Sequence, residues 1–165
     1  MQAYQSIENK SISRRDMLKL SWGALAGLVA VEVGGLALSY MKPRLAAGEF
    51  GSIITAGIVD EFPPGSVTQI PNGRFYLTRL EDGGFLAIYQ RCTHLGCSVP
   101  WEQASNSFIC PCHSSRFSAD GTLLNPPAPR AMDIFPVSIE NDQVMVDTAR
   151  PVSREGFEIA QVVHP

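Results

Sequence analysis

The sequence predicts an all-β head, an antiparallel β sandwich or barrel, preceded by one N-terminal transmembrane helix. Three observations carry this expectation. Residues 20–41 form an apolar run of 22 residues with a single charge, Glu32. At a rise of about 1.5 Å per residue, such a run crosses a hydrocarbon core of about 30 Å. Beyond residue 50 no helical period appears, and short runs rich in β-branched and aromatic residues recur between clusters of turn residues. Finally, all four cysteines and two of the three histidines fall within residues 92–113. Core packing gives no reason for such segregation, so this window is where the chemistry concentrates.

Residues 1–19 are polar and include Ser13-Arg14-Arg15-Asp16-Met17-Leu18-Lys19, which resembles the twin-arginine export motif that precedes an apolar run. Lys10, Arg14, Arg15 and Lys19 lie before the run, and only Lys42 and Arg44 directly after it. By the positive-inside rule the N-terminus is cytoplasmic and the head lies outside. No A-x-A signal closes residues 20–41 cleanly, so the run reads as an uncleaved anchor. The expected location is a single-pass anchor in a bacterial cytoplasmic membrane, with the head on the periplasmic side, where disulfides persist. Glu32 near the middle of the span costs about 2–3 kcal/mol on insertion scales. It is therefore expected to face protein, with the helix packed against partner subunits.

Residues 42–50 read as a linker in which Pro43 ends the helix. The head is expected over residues 51–148. Val67–Ile70, Arg74–Leu80, Phe85–Gln90, Ile134–Ile139 and Val144–Asp147 read as strands. Pro63-Pro64-Gly65, Pro71-Asn72-Gly73, Glu81-Asp82-Gly83-Gly84 and Asn141-Asp142 read as the turns between them. Residues 149–165 form a tail, and His164 within it reads as a surface residue with no role. The formal net charge is −3, and from Leu45 onward seven arginines face thirteen acids. That balance argues against nucleic acid as a partner. The sequence holds neither a phosphate-binding glycine loop nor a free Ser-His-Asp set.

The two cysteine-rich stretches are Cys92-Thr93-His94-Leu95-Gly96-Cys97 and Cys110-Pro111-Cys112-His113-Ser114-Ser115-Arg116-Phe117. Each offers one thiolate and one imidazole, as Cys92-x-His94 and Cys110-x-x-His113, plus one further cysteine. Thiolates with imidazoles suit a tetrahedral zinc or an iron–sulfur cluster. The split is not the usual zinc-finger spacing, and it fits a [2Fe-2S] centre with two cysteines on one iron and two histidines on the other. A zinc ribbon stays open as an alternative.

In these motifs the sequence resembles the Rieske iron–sulfur proteins, matching C-T-H-L-G-C and C-P-C-H-x-S with fifteen residues between His94 and Cys110. The resemblance extends to Pro126-Pro127-Ala128-Pro129, similar to the proline-rich segment that covers the cluster in that family. It implies a cluster-binding subdomain at about residues 91–130, inserted between strands of the base. By resemblance, Cys92 and Cys110 bind the buried iron, His94 and His113 the outer iron, and Cys97 pairs with Cys112. Leu95, Pro111 and Ser115 are implied to line the cluster, with Ser115 as a hydroxyl donor to sulfur.

The resemblance further implies the Rieske subunit of a quinol:cytochrome c oxidoreductase of the cytochrome bc class, with cytochrome b and a c-type cytochrome as partners. His113 would accept a hydrogen bond and then a proton from quinol. In that class the linker lets the head swing, although residues 42–50 are short and not strongly glycine-rich. Phe117 stands where high-potential members place a tyrosine donor. Its lack of a hydroxyl suggests a lower-potential cluster matched to menaquinol. The alternative implied by the same motifs is the Rieske subunit of an exported molybdenum oxidase such as an arsenite oxidase.

Overall fold

The computed structural model describes residues 12–41 and 48–165. Lys10 and the linker positions Lys42 to Ala47 lie outside the described residues. The chain divides into two units, Met1–Arg44 and Leu45–Pro165.

The first unit contains α1, Arg14–Tyr40, a helix of 27 residues that is long and apolar enough to cross a membrane. It begins earlier than the apolar run, because Ser13 caps it. The Ser13 hydroxyl oxygen accepts the Asp16 backbone N–H at 3.2 Å, and its O–H donates to the Asp16 carboxylate at 2.7 Å. This satisfies one orphan donor of the first turn and places an acid beside the positive end of the helix dipole. Arg14 and Arg15 are thus the first two helical residues, and Glu32 lies within the helix.

The second unit is all-β and antiparallel. Its base has two sheets. One orders β1 (Ile53–Ile58), β11 (Gln143–Asp147) and β10 (Val137–Glu140). The other orders β2 (Val67–Ile70), β3 (Phe75–Arg79), β4 (Phe85–Tyr89) and β9 (Ile134–Phe135). Ile54, Phe75, Leu77, Phe85, Ala87, Phe135, Val144 and Val146 form one buried core drawn from both sheets. The expected turns close these strands, with Asn141 and Asp142 both at positive φ between β10 and β11.

Ile134–Ile139 is not the single strand expected from its β-branched composition. Pro136 lacks the N–H a ladder needs, and the chain breaks there. Ile134 and Phe135 pair with β4 in one sheet, while Val137–Glu140 pairs with β11 in the other. β1 was not among the expected strands. It contains Thr55-Ala56-Gly57, and its register shifts between Thr55 and Gly57.

A third sheet orders β5 (Trp101–Glu102), β6 (Ser107–Ile109), β7 (Arg116–Phe117) and β8 (Leu123–Asn125). It belongs to the segment between β4 and β9, and those two flanking strands pair directly, Ala87 opposite Phe135. The cysteine-rich segment is therefore an insertion in a continuous sheet. Its core gathers Tyr76, Ile88, Val99, Phe108, Phe117 and Met132 around Cys92 and Cys110.

The tail runs along the head. Val152 exchanges backbone hydrogen bonds with Ile134, and Val163 with Phe85. Between them Arg154, only 6% exposed, donates from Nε to the Met132 carbonyl and from Nη1 to Gln161 Oε1, each at 2.8 Å. It also donates to the Asp120 carbonyl. His164 does have a partner, the Asp82 carboxylate at 3.4 Å.

Candidate metal centre

The two cysteine-rich stretches fold into loops with the same backbone pattern. In the first, Cys92 donates its N–H to the Cys97 carbonyl at 2.8 Å, and Gly96 donates to the Cys92 carbonyl at 2.9 Å. In the second, Cys110 donates to the Ser115 carbonyl and Ser114 to the Cys110 carbonyl, both at 2.9 Å. Each loop turns through a left-handed residue at the same offset, Gly96 (φ 81°) and Ser114 (φ 61°). The repeat is hidden in sequence, because the histidine lies two residues after the first cysteine in one loop and three after it in the other. Ser114 is one of the few non-glycine residues with positive φ, a conformation costly enough to mark a constrained site.

The donors are graded by depth. Cys92 and Cys110 are 2% and 1% exposed and unpaired, His94 is half-buried and His113 exposed. The imidazoles face each other edge to face, with centroids 4.9 Å apart and planes at 81°. Nδ1 of His94 is buried without a hydrogen-bond partner. Burial pushes the Cys92 thiol above its ordinary pKa, and the neighbouring Cys110 adds to this, against bonds from the His94 N–H and the Ser115 hydroxyl. Two buried thiols and an orphaned imidazole nitrogen are costly together unless a cation takes them.

Cys97 and Cys112 are joined in a disulfide with Cα atoms 6.7 Å apart. The Sγ atoms of Cys97, Cys110 and Cys112 lie within 4.8 Å of one another. That trio is not a ligand set, since the disulfide consumes two of its members. The donors left are Cys92, Cys110, His94 and His113, and this set of two thiols and two imidazoles fits a [2Fe-2S] cluster.

The proline-rich segment closes over both loops. Ala128 donates its N–H to Ser115 Oγ at 3.0 Å, and Thr93 Oγ1 donates to the Arg130 carbonyl at 2.8 Å. Arg130 is held in turn by the Asp133 carboxylate. Ser115 is fully buried, so its hydroxyl bridges the segment and Cys92 without competition from water. Leu95 stands 71% exposed beside His94, and Pro111 is exposed beside His113. Phe117 is fully buried in the core that contains both cysteines. Thr93 and Arg154 escaped the sequence reading, because a tether to a segment far along the chain leaves no local pattern.

Residues 53–136 match the Rieske [2Fe-2S] domain family. The chain belongs to the Rieske [2Fe-2S] family. Its resident cofactor is a [2Fe-2S] cluster, which the donor set fits. Among curated relatives, this Rieske chain is 36% identical over 150 residues to the cytochrome b6-f complex iron-sulfur subunit of Synechococcus sp. (strain WH7803), covering 81% of this chain and 83% of that one. It is 32% identical over 158 residues to the cytochrome b6-f complex iron-sulfur subunit 1 of Synechocystis sp., covering 86% and 88%. Among solved structures, the plasma membrane Rieske protein of Synechocystis PCC 6803 shares 27% identity over 56% of this chain and 97% of that one, with a TM-score of 0.47.

Proposed function

We propose that this chain is the electron-transfer subunit of a membrane quinol-oxidising complex of the cytochrome bc class. It takes one electron and one proton from quinol and passes the electron to a c-type haem. The carrying observation is the grading of the donors, with both thiols inside and His113 at the surface. The curated relatives, named as subunits of cytochrome b6-f complexes, support this reading over the molybdenum-oxidase one.

Cys92, Cys110, His94 and His113 would hold the cluster, and the buried, unpartnered Nδ1 of His94 would be one of the donors. When bound, the cluster supplies a one-electron acceptor and donor. The protein does the rest. The exposed His113 ring accepts a hydrogen bond from a quinol hydroxyl and then its proton, and exposed Leu95 offers an apolar contact beside it. Ser115 fixes one cysteine, and the disulfide holds the loops together as the charge changes.

The wider assembly follows from the same reading. α1 anchors the chain by a single pass, with the N-terminus cytoplasmic, the head periplasmic and Ser13-Arg14-Arg15 serving as a twin-arginine export signal. Cytochrome b and a c-type cytochrome are the partners. Menaquinol is the donor, because Phe117 offers no hydroxyl to raise the potential.

The test uses membranes containing the assembled complex. Wild-type chain should co-purify with b-type haem and support quinol-dependent reduction of a c-type haem. His113→Ala should abolish the reduction while the chain still co-purifies. Full reduction in that variant, or co-purification with a molybdenum subunit, would overturn the reading.

A further inference from the structure

Beside the first cluster loop lies a cavity of about 320 Å³ lined by Arg74, Tyr89, Gln90, Arg91, Gly96 and Ser98. Its two guanidiniums are unusual on a head with seven arginines and thirteen acids from Leu45 onward. Arg79, Arg130, Arg150 and Arg154 are each absorbed by carbonyls or carboxylates, and Arg116, exposed on β7, lies outside this cavity. Arg74 and Arg91 form no ion pair among the described residues.

Arg74 is nevertheless held in place, and Arg91 lies close against the first loop. Arg74 caps the Pro71–Gly73 turn in a left-handed conformation, with its guanidinium 4.7 Å from the Phe50 ring centroid. Its carbonyl accepts the Gln90 N–H at 2.9 Å, which sets it beside the end of β4 where Arg91 follows. Arg91 lies over Gly96, where even a Cβ would come within 3.0 Å of the guanidinium Nε. Two guanidiniums with amide and hydroxyl groups around them match the acceptor pattern of an oxyanion.

We infer that this cavity is a binding site for a small oxyanion of the phosphate class, recognised by Arg74 and Arg91 together. The anion's oxygens accept from the two guanidiniums, and the Ser98 hydroxyl and the second hydrogen of Gln90 Nε2, whose first goes to the Tyr76 hydroxyl at 3.3 Å, supply neutral donors at the rim. Free phosphate and an anionic lipid headgroup share this chemistry. Nothing in the inference depends on which quinol or haem the cluster serves.

The test is calorimetric titration of the full-length holoprotein in neutral detergent with inorganic phosphate, at constant ionic strength balanced with chloride. Saturable binding with one site per chain is expected. Arg74→Gln and Arg91→Gln should each weaken it about tenfold or more, as loss of a charge-assisted contact does. Arg150→Gln, at an exposed arginine paired with Asp147, should leave it unchanged. Unaltered visible spectra would show that each variant folds and keeps its cluster. Repeating the titration in nanodiscs separates the sources. Phosphate binding lost in phosphatidylglycerol discs but kept in phosphatidylcholine discs assigns the site to a lipid headgroup, and equal binding in both assigns it to free phosphate. No saturable binding in detergent, or binding that survives both substitutions, would overturn the inference.

Discussion

Ser115 accepts the Ala128 N–H at 3.0 Å while its own hydroxyl reaches Cys92, so one buried side chain couples the proline-rich segment to a buried thiol of the candidate donor set. Ser115→Ala should act at both ends. An unpartnered Ala128 N–H costs about 1–3 kcal/mol of stability. Loss of the donor to sulfur should lower the midpoint potential, because a donor aimed at the ligand favours the more negative, reduced state. Redox titration and thermal unfolding of the variant check the two effects separately.

Phe117 stands in the same core as Cys92 and Cys110 and is fully buried. Phe117→Tyr should raise the midpoint if the added hydroxyl donates to a cysteine sulfur. Taking about 1.5–3 kcal/mol for a charge-assisted bond and about 59 mV per tenfold for one electron, the rise is up to roughly 60–130 mV. An unchanged midpoint in a folded variant would remove the basis for a menaquinol donor.

The disulfide between Cys97 and Cys112 closes a loop of 15 residues' separation. On the chain-entropy account a loop of that size is worth about 3 kcal/mol. The double substitution Cys97→Ser, Cys112→Ser should therefore leave the base folded and shorten retention of the cluster. The decay of visible absorbance under chelator is the readout.

The tail is tied to the cluster subdomain through a buried charge. Burial alone would raise the Asp120 carboxyl, but bonds from Ser118 and the Thr122 N–H, with the Arg154 charge, hold it below the usual carboxylate range. A depressed folded pKa stabilises the protein above the unfolded value of about 3.9, and that contribution disappears as pH falls through the folded pKa. Asp120→Asn should thus be less stable than wild type near neutrality, and the difference should vanish in acid. Arg154→Ala should cost about 3 kcal/mol, since it leaves the Met132 and Asp120 carbonyls unpartnered. Unfolding curves from neutral to acidic pH check both.

Much of this was legible in the sequence because the chemistry is local. The strands β2, β3, β4 and β11 follow from composition, and the pairing of Cys97 with Cys112, implied by the resemblance, is present in the structure, which also brings the four candidate donors Cys92, His94, Cys110 and His113 into two facing loops. What stayed hidden depends on distant partners or on backbone. Strands of two or three residues, such as β5 and β7, are too short to show a period and exist because their neighbours pair with them. Ile134–Ile139 misled because Pro136 was outweighed by the branched residues around it. The shared geometry of the two cluster loops could not be read from motifs of different spacing. Arg154 carries no local signal, because its partners Met132 and Asp120 lie more than twenty residues away along the chain.

A [2Fe-2S] cluster on Cys92, His94, Cys110 and His113 is the proposal on which the redox predictions rest. An EPR-monitored redox titration of the detergent-purified full chain, at several pH values with metal analysis, tests it most directly. Two irons per chain are expected, with a reduced-state signal of low average g and a midpoint that falls as pH rises, since reduction takes up a proton. An EPR-silent, colourless protein containing zinc after anaerobic handling would contradict the account.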